Sequence, residues 1–541
     1  MSDLYWTIDS LVVKDNVMFG FGWIFHVRYE VVSLRFRVMS AKRNVPEHIY
    51  ADFGKSREDV GRSYLNHARA MNSGYVVFGA LSDERHPDSI VLECTLADGS
   101  TIELSVPSSK IICFSNDYAK GKNRIVLRQA GTLLKRGVHL IRSGKISSFF
   151  DKVKRYLNGR PQTALQKPDE FASLFEFQEG QNLSVILDHN LGGGANQYRD
   201  RLVDAIIREG RSAIILTYHV ATLSHMVIVR NKRLNVRYSI PDITFLWQSL
   251  QQLSVKDIIY NTAVSFVKPD EIPQFLIRLK VLTSARLMVL AHDFYLVCPS
   301  HFLLDHDGKY CQIPEISVCD NCLPKNRYGF ATLFTERDIS KWRAIWGSLL
   351  AAADEIITFS NSTAQLLMKA YPQIESSHIS IRPHEVAYLE DKVVRIKQTA
   401  SLRIGVVGQI GFHKGAAFIQ QLSREIKRRE VDVNIVVIGS IEVSCDPSIV
   451  SQTGPYRCDQ LASLIDASGA NIMLFPSIWP ETFSYVVQEL IYMDLPVASF
   501  NLGAPAERIA SYSKGLVLAS MDAASVLDEL ILFHSKIYLA H

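Results

Sequence analysis

The chain contains no apolar run approaching the roughly 18 residues of a membrane-crossing helix. Its opening, Met1 to Ser10, lacks the charged-then-apolar pattern of a secretion signal. Neither sign of charge is in excess: 59 Lys and Arg stand against 55 Asp and Glu, and the formal +4 is too small to argue for a nucleic-acid partner. Cysteine is scarce, eight in 541 residues, and four of these crowd between Cys298 and Cys322, which excludes a disulfide framework. A nicotinamide fingerprint is missing too. The glycine-rich loop Gly192-Gly193-Gly194 follows Asn190 and has Gln197 where a third spaced glycine would stand. What remains, 47% hydrophobic and 21% charged residues, suits an ordinary globular protein of about three domains, expected in the cytoplasm.

Residues 1–108 read as an all-β, sandwich-like accessory domain. Runs such as NVMFGFGWIF, YVVFGAL and IVLECTL are rich in aromatic and β-branched residues, and Asp98-Gly99 marks a hairpin because glycine accepts the positive φ of a tight turn. A carbohydrate-binding role and a plain packing role are both open for this domain. Residues 109–180 form a basic connector and linker, where thirteen Lys or Arg from Lys110 to Arg160 face only Asp117 and Asp151. The stretch LLKRGVHLIRSGKISSFFDKVKRYL spaces its charges among apolar residues at near-helical intervals. It is expected to lie on an anionic membrane surface or to turn its basic face to water.

In 181–390, the strand LSVILDHN, the loop LGGGANQ and the helix YRDRLVDAIIREG open a doubly wound α/β domain. Two further strands, DIIYNTAV and RLMVLAHDFYLVCP, follow, and His292-Asp293 stands at the exit of the second. Cys298, Cys311, Cys319 and Cys322 lie in an insertion here. They could hold a structural zinc tetrahedrally or be free buried thiols. Residues 391–541 read as a second α/β domain with a terminal helix.

The densest pattern runs from Asn471 to Ile509. An apolar run ending at Pro476 reads as a buried parallel strand, Glu481 follows in a loop, and Glu489 lies on the helix behind it. Ligands of open α/β sheets bind at such exits. LRIGVVGQIGFHKGAAFIQQLSREIKRRE likewise places Lys414 at a helix N-terminus just past a strand, a point charge where a diphosphate would rest. Gly192 to Gly194 let backbone amides approach an anion at another helix start.

Glu481 and Glu489 resemble the Glu-x7-Glu element of the retaining GT-B glycosyltransferases of family 4, which use nucleotide-diphosphate sugars. Lys414-Gly415 matches that family's Lys-Gly, while Gln409 stands where the family has arginine after Gly408, a neutral donor in place of a charged fork. The triple-glycine loop and the HDFYLVCP…CDNC pattern resemble bacterial surface-polysaccharide and O-antigen-type members. The resemblance implies two Rossmann-like domains facing a cleft, with the donor mainly on the second and the acceptor, a glycan or lipid-linked sugar, mainly on the first. It implies that Glu489 takes the nucleotide ribose, that Glu481, Phe483, Ser484 and Tyr485 face the donor sugar and diphosphate, and that His292 lies near the reacting carbon. Lys414, with Gly193, Gly194 and Gln409, would meet the diphosphate. No catalytic metal or other cofactor is implied, and no Asp-x-Asp triplet stands at a loop expected to hold magnesium. A catalytically inactive carbohydrate-binding scaffold of the same fold is the alternative, motivated by Gln409 and the extra β domain.

Overall fold

The computed structural model describes residues 3–114 (except 15–16, 41–42, 56, 65 and 82–86), 163–164, 171, 174–175, 183–326 (except 220–223, 252 and 267), 328, 338–384, 386, 394, 396 and 400–538. Most of the basic connector, including the stretch expected as an amphipathic helix, lies outside the described residues.

Three sheets organise the molecule. The first has eight strands between Leu4 and Phe114, antiparallel except where Ile111–Phe114 runs parallel beside Leu11 to Lys14. Its long strand Arg43–Lys55 pairs first with Val31–Ser40 and then, beyond Tyr50, with Gly74–Ala80, so one strand serves both halves. Ile8, Leu11, Phe36, Val77 and Leu92 come from strands far apart in the sheet yet share one core. The sheet therefore folds over on its apolar face, as a sandwich does. The expected hairpin is present: Gly99 has φ 85°, and the Asp98 carboxylate accepts from the Ser100 N–H at 2.9 Å.

The second sheet is built on Leu183–Leu187, a strand buried at every position because both its faces are covered. Parallel strands Val255–Tyr260, Arg286–Leu290, Glu355–Thr358 and Ile379–Ile381 extend it on one side. On the other side Ser212–His219 is parallel, but Ser224–Arg230 and Asn235–Ile240 continue as an antiparallel meander. Ser360 caps the helix Asn361–Ala370 by accepting from the Thr363 N–H.

The third sheet is parallel throughout, with six strands in the order Val450–Gln452, Val433–Ile441, Leu402–Ile410, Ile472–Phe475, Val497–Phe500 and Gly515–Leu518. Phe418, Ile419, Leu422 and Ile426 form the buried stripe of the helix Ala416–Arg429, as their spacing predicts. The terminal helix Ala523–Tyr538 packs Val526, Leu527 and Leu530 into that same core. Two Rossmann-like domains thus follow an all-β domain, the GT-B arrangement expected from the sequence.

Candidate active site

The exits of the third sheet bring Lys414 and Glu481 together. The strand Leu402–Ile410 ends in a turn, Phe412–Lys414, and Gly415 then turns the chain into the next helix at φ 83°. A Cβ on Gly415 would lie 2.0 Å from the carbonyl oxygen of Pro476, so only glycine lets the two exits meet. The Ile478 N–H donates to the His413 carbonyl at 3.1 Å, which ties the loop after Phe475 to the turn.

Glu481 is buried in that loop, where its Oε1 accepts from the Ser477 hydroxyl at 3.0 Å. Burial pushes its pKa up, while the Lys414 charge and the Ser477 bond pull it down. The loop is closed behind by Ala504, whose N–H donates to the Glu481 carbonyl at 2.8 Å.

Glu489 lies buried on the helix Tyr485–Tyr492 and faces Tyr456, whose phenol burial and then Glu489 push upward. Ser484 is committed locally, its Oγ capping the helix at the Val487 N–H. Gln409 is exposed at the end of its strand, directly after Gly408, which has φ 118°.

The first domain contributes the glycine loop. Asp188, fully buried at the exit of Leu183–Leu187, accepts from Asn196 at 2.7 Å, Arg199 at 2.8 Å and Asn261 at 2.9 Å. Asn196 in turn accepts from the Gly192 N–H at 2.7 Å, so a buried polar network shapes the loop from below. Gly193 caps the helix Gly194–Arg208 at φ 88°, and both it and Gly192 have open space where a side chain would be.

His292 joins the two domains through its backbone, accepting at its carbonyl from the Thr482 hydroxyl at 2.7 Å. Its ring stacks on Phe359, and burial drives its pKa well down, so it is neutral. His384 occupies the gap beside it. Burial, then the Arg201 and Arg508 charges, lower its pKa to about 3. Its ring stacks on Phe483 with centroids 4.3 Å apart, and Nδ1 lies 2.5 Å from the Tyr485 hydroxyl. Nε2 of each histidine is buried without a hydrogen-bond partner among the described residues. Tyr485 also receives a bond from Arg201 and packs against Gly194, where a Cβ would lie 2.9 Å from its ring. Phe483 lies beneath the guanidinium of Arg508, 4.2 Å from its centroid.

Every sequence-predicted site residue is thus at a strand exit, at a helix start or on the helix behind one. The Lys414 turn and the Glu481 loop are tied at the Ile478 N–H, and the Lys414 charge is felt at Glu481; Phe483 and Tyr485 meet the first domain at His384 and Gly194. Sequence reasoning passed over Asp188 and His384. Asp188 is the first residue past a buried strand, and His384 follows Ile379–Ile381 closely, so the strand-exit rule applied to both.

None of the four clustered cysteines is in a disulfide, and burial pushes Cys311 up to about 11. Among the described residues no group of three or more His, Cys, Asp and Glu is arranged to hold a metal ion. Asp305-His306-Asp307 forms a tight turn in which the Asp305 carboxylate accepts from the Asp307 and Lys309 N–H groups at 2.9 Å. No helix among the described residues is long and apolar enough to cross a membrane.

Residues 401–535, which contain Lys414, Glu481 and Glu489, match the family described as glycosyl transferases group 1. A search of curated proteins finds no match. Similar solved structures include the lipopolysaccharide outer core galactosyltransferase WaaB, 11% identical over 65% of this chain and 90% of that one, with a TM-score of 0.42. Anabaena Alr3699/HepE, in complex with UDP and glucose, is 13% identical over 64% and 89%, with a TM-score of 0.41. The catalytic domain of starch synthase IV from Arabidopsis thaliana, bound to ADP and acarbose, is 11% identical over 66% and 92%, with a TM-score of 0.40. Likeness at this level says nothing about substrate.

Proposed function

We infer that this chain is a glycosyltransferase, moving a sugar from a nucleotide-diphosphate-sugar to a glycan or lipid-linked acceptor in cell-surface polysaccharide synthesis, with retention of anomeric configuration. The observation that carries the reading is the joining of the Lys414 turn to the loop of buried Glu481 at adjacent strand exits, through the Ile478 N–H on the His413 carbonyl and the close approach of Gly415 to Pro476, inside the segment that matches the glycosyl transferases group 1 family.

The donor diphosphate rests against the Lys414 turn, and the ribose hydroxyls reach Glu489. Negative charge grows on the diphosphate as the sugar leaves, and a fixed cation in a site closed to water stabilises it without reorganising. The Gly193 and Gly194 amides face the same anion from the first domain, at the positive end of a helix. Glu481, held by Ser477, accepts hydroxyls of the transferred sugar. His292 and His384, both neutral at physiological pH, offer ring nitrogens to sugar oxygens rather than charge. Thr482 on His292 and Tyr485 on Gly194 bring the two domains together at this place.

A second reading, a scaffold that binds sugar without transferring it, is favoured by exposed Gln409 where the family pattern has arginine. One assay separates the two. Purified protein is incubated with a panel of nucleotide-sugars, and slow donor hydrolysis is followed, with Lys414→Ala as control. Hydrolysis that disappears in the variant supports the enzyme, and binding without turnover supports the scaffold.

A further inference from the structure

We propose that the N-terminal β domain is part of the donor site: through Lys55 and Glu442 it fixes the turn that carries Lys414. The inference rests on the donor-site reading of Lys414.

Glu442 directly follows the strand Val433–Ile441, and its N–H donates to the Ile410 carbonyl at 3.1 Å, next to the start of the turn. Its side chain lies over the turn. A Cβ on Gly411 would be 3.1 Å from Glu442 Oε2, so the carboxylate lies against the backbone of the turn. Burial opposes the ionisation of this carboxylate and pushes its pKa up. Glu442 is only 17% exposed, and the cation that offsets its burial is Lys55 of the β domain, with Nζ 3.6 Å from Oε2. Asp52 holds Lys55 from behind at 2.8 Å.

The contact is wider than one ion pair. Asn72 donates to the Ile441 carbonyl at 3.4 Å, and the open face of Gly54 lets the β-domain backbone approach Glu442. The same β domain inserts Val12, Val17 and Phe78 into the core of the first Rossmann-like domain. It therefore bridges both halves of the cleft while one of its lysines reaches the donor turn. The cysteine insertion grips the turn as well: Tyr328 stacks on Phe412 at 4.8 Å and Phe302 on His413 at 4.4 Å. The turn is thus held largely by chain from outside its own domain. Lys55 acts as a positioning residue through Glu442 and touches no substrate.

The test is hydrogen exchange followed by mass spectrometry on the full chain, comparing wild type with Lys55→Ala, Glu442→Gln and Lys55→Arg. Exchange of the peptide spanning 410–416 should quicken about 2- to 5-fold in the first two, the size expected for loss of a half-exposed ion pair. It should return to the wild-type rate in Lys55→Arg, and the strand Ile472–Phe475 should stay unchanged in all. Unchanged exchange at 410–416 would overturn the proposal, and so would a rise shared by the whole domain, since that reports only stability. Failure of donor turnover in wild type, with the exchange result intact, would overturn the glycosyltransferase reading and leave the brace standing.

Discussion

His384 of the first Rossmann-like domain and Tyr485 of the second meet across the interdomain gap, with Nδ1 of one 2.5 Å from the hydroxyl of the other. Arg201 has only protons to give and donates to the tyrosine oxygen, which shares a second hydrogen bond with His384 Nδ1. Tyr485→Phe removes both bonds. Unfolding in urea should show a loss of roughly 0.5–1.5 kcal/mol per bond, and an unchanged midpoint would mean that the contact contributes nothing.

The donor site makes three separable demands. Lys414→Ala removes a charge-assisted bond worth about 1.5–3 kcal/mol, so kcat/KM should fall roughly 10- to 150-fold. Glu489→Gln should chiefly raise the donor KM, because it faces a part of the donor that does not react. Glu481→Gln should chiefly lower kcat, because its partner adjoins the carbon under attack. Wild-type transfer rates in both the Lys414 and the Glu481 variants would place the chemistry elsewhere.

Asp293 predicts a pH effect on stability. Burial raises its pKa from 3.8 to about 6, against the pull of the bonds from Thr262 and Tyr295. A raised carboxyl binds its proton more tightly in the folded state. Its stabilising contribution is therefore present below about pH 4 and is lost as pH rises through about 6, amounting to at most about 3 kcal/mol. Urea midpoints of wild type should fall between pH 4 and 6 relative to those of Asp293→Asn. Parallel curves would exclude the shift.

The zinc proposed for Cys298, Cys311, Cys319 and Cys322 would require their thiols to ionise against burial, at the cost of releasing protons to the solvent. Were zinc held there, protein purified without chelator would carry about one zinc per chain, lost in the Cys319→Ser, Cys322→Ser double variant. Metal-free protein of unchanged stability would leave them as buried thiols.

The basic connector is proposed to hold the protein on anionic membranes. Replacing Lys135, Arg136, Lys152, Lys154 and Arg155 by Gln should weaken binding to phosphatidylserine vesicles, each lysine or arginine contributing about 1 kcal/mol near the surface. Binding indifferent to these changes and to salt would refute it.

The sequence by itself determined where the chemistry stands along the chain. Lys414, Glu481 and the glycine loop follow apolar runs that can only be buried strands, and the punctuation by Gly415 and Pro476 is local, so short-range pattern was enough. The Asp98-Gly99 hairpin was legible for the same reason. Tertiary structure alone decided which of these exits touch. Asn72 and Ile441 are 369 positions apart, and His384 and Tyr485 are 101 apart. Nothing local says which residues meet in either pair, because spacing places each residue on its own element and leaves its partner open. Burial also chose the charge states. Histidines that would titrate near pH 6.5 in water are neutral in the cleft because packing against Phe359 and Phe483 removes the solvent that would stabilise their charge. The part of the β domain was hidden likewise. Lys55 and Glu442 are ordinary surface charges in the sequence, and only the docking of one domain on another makes them a pair.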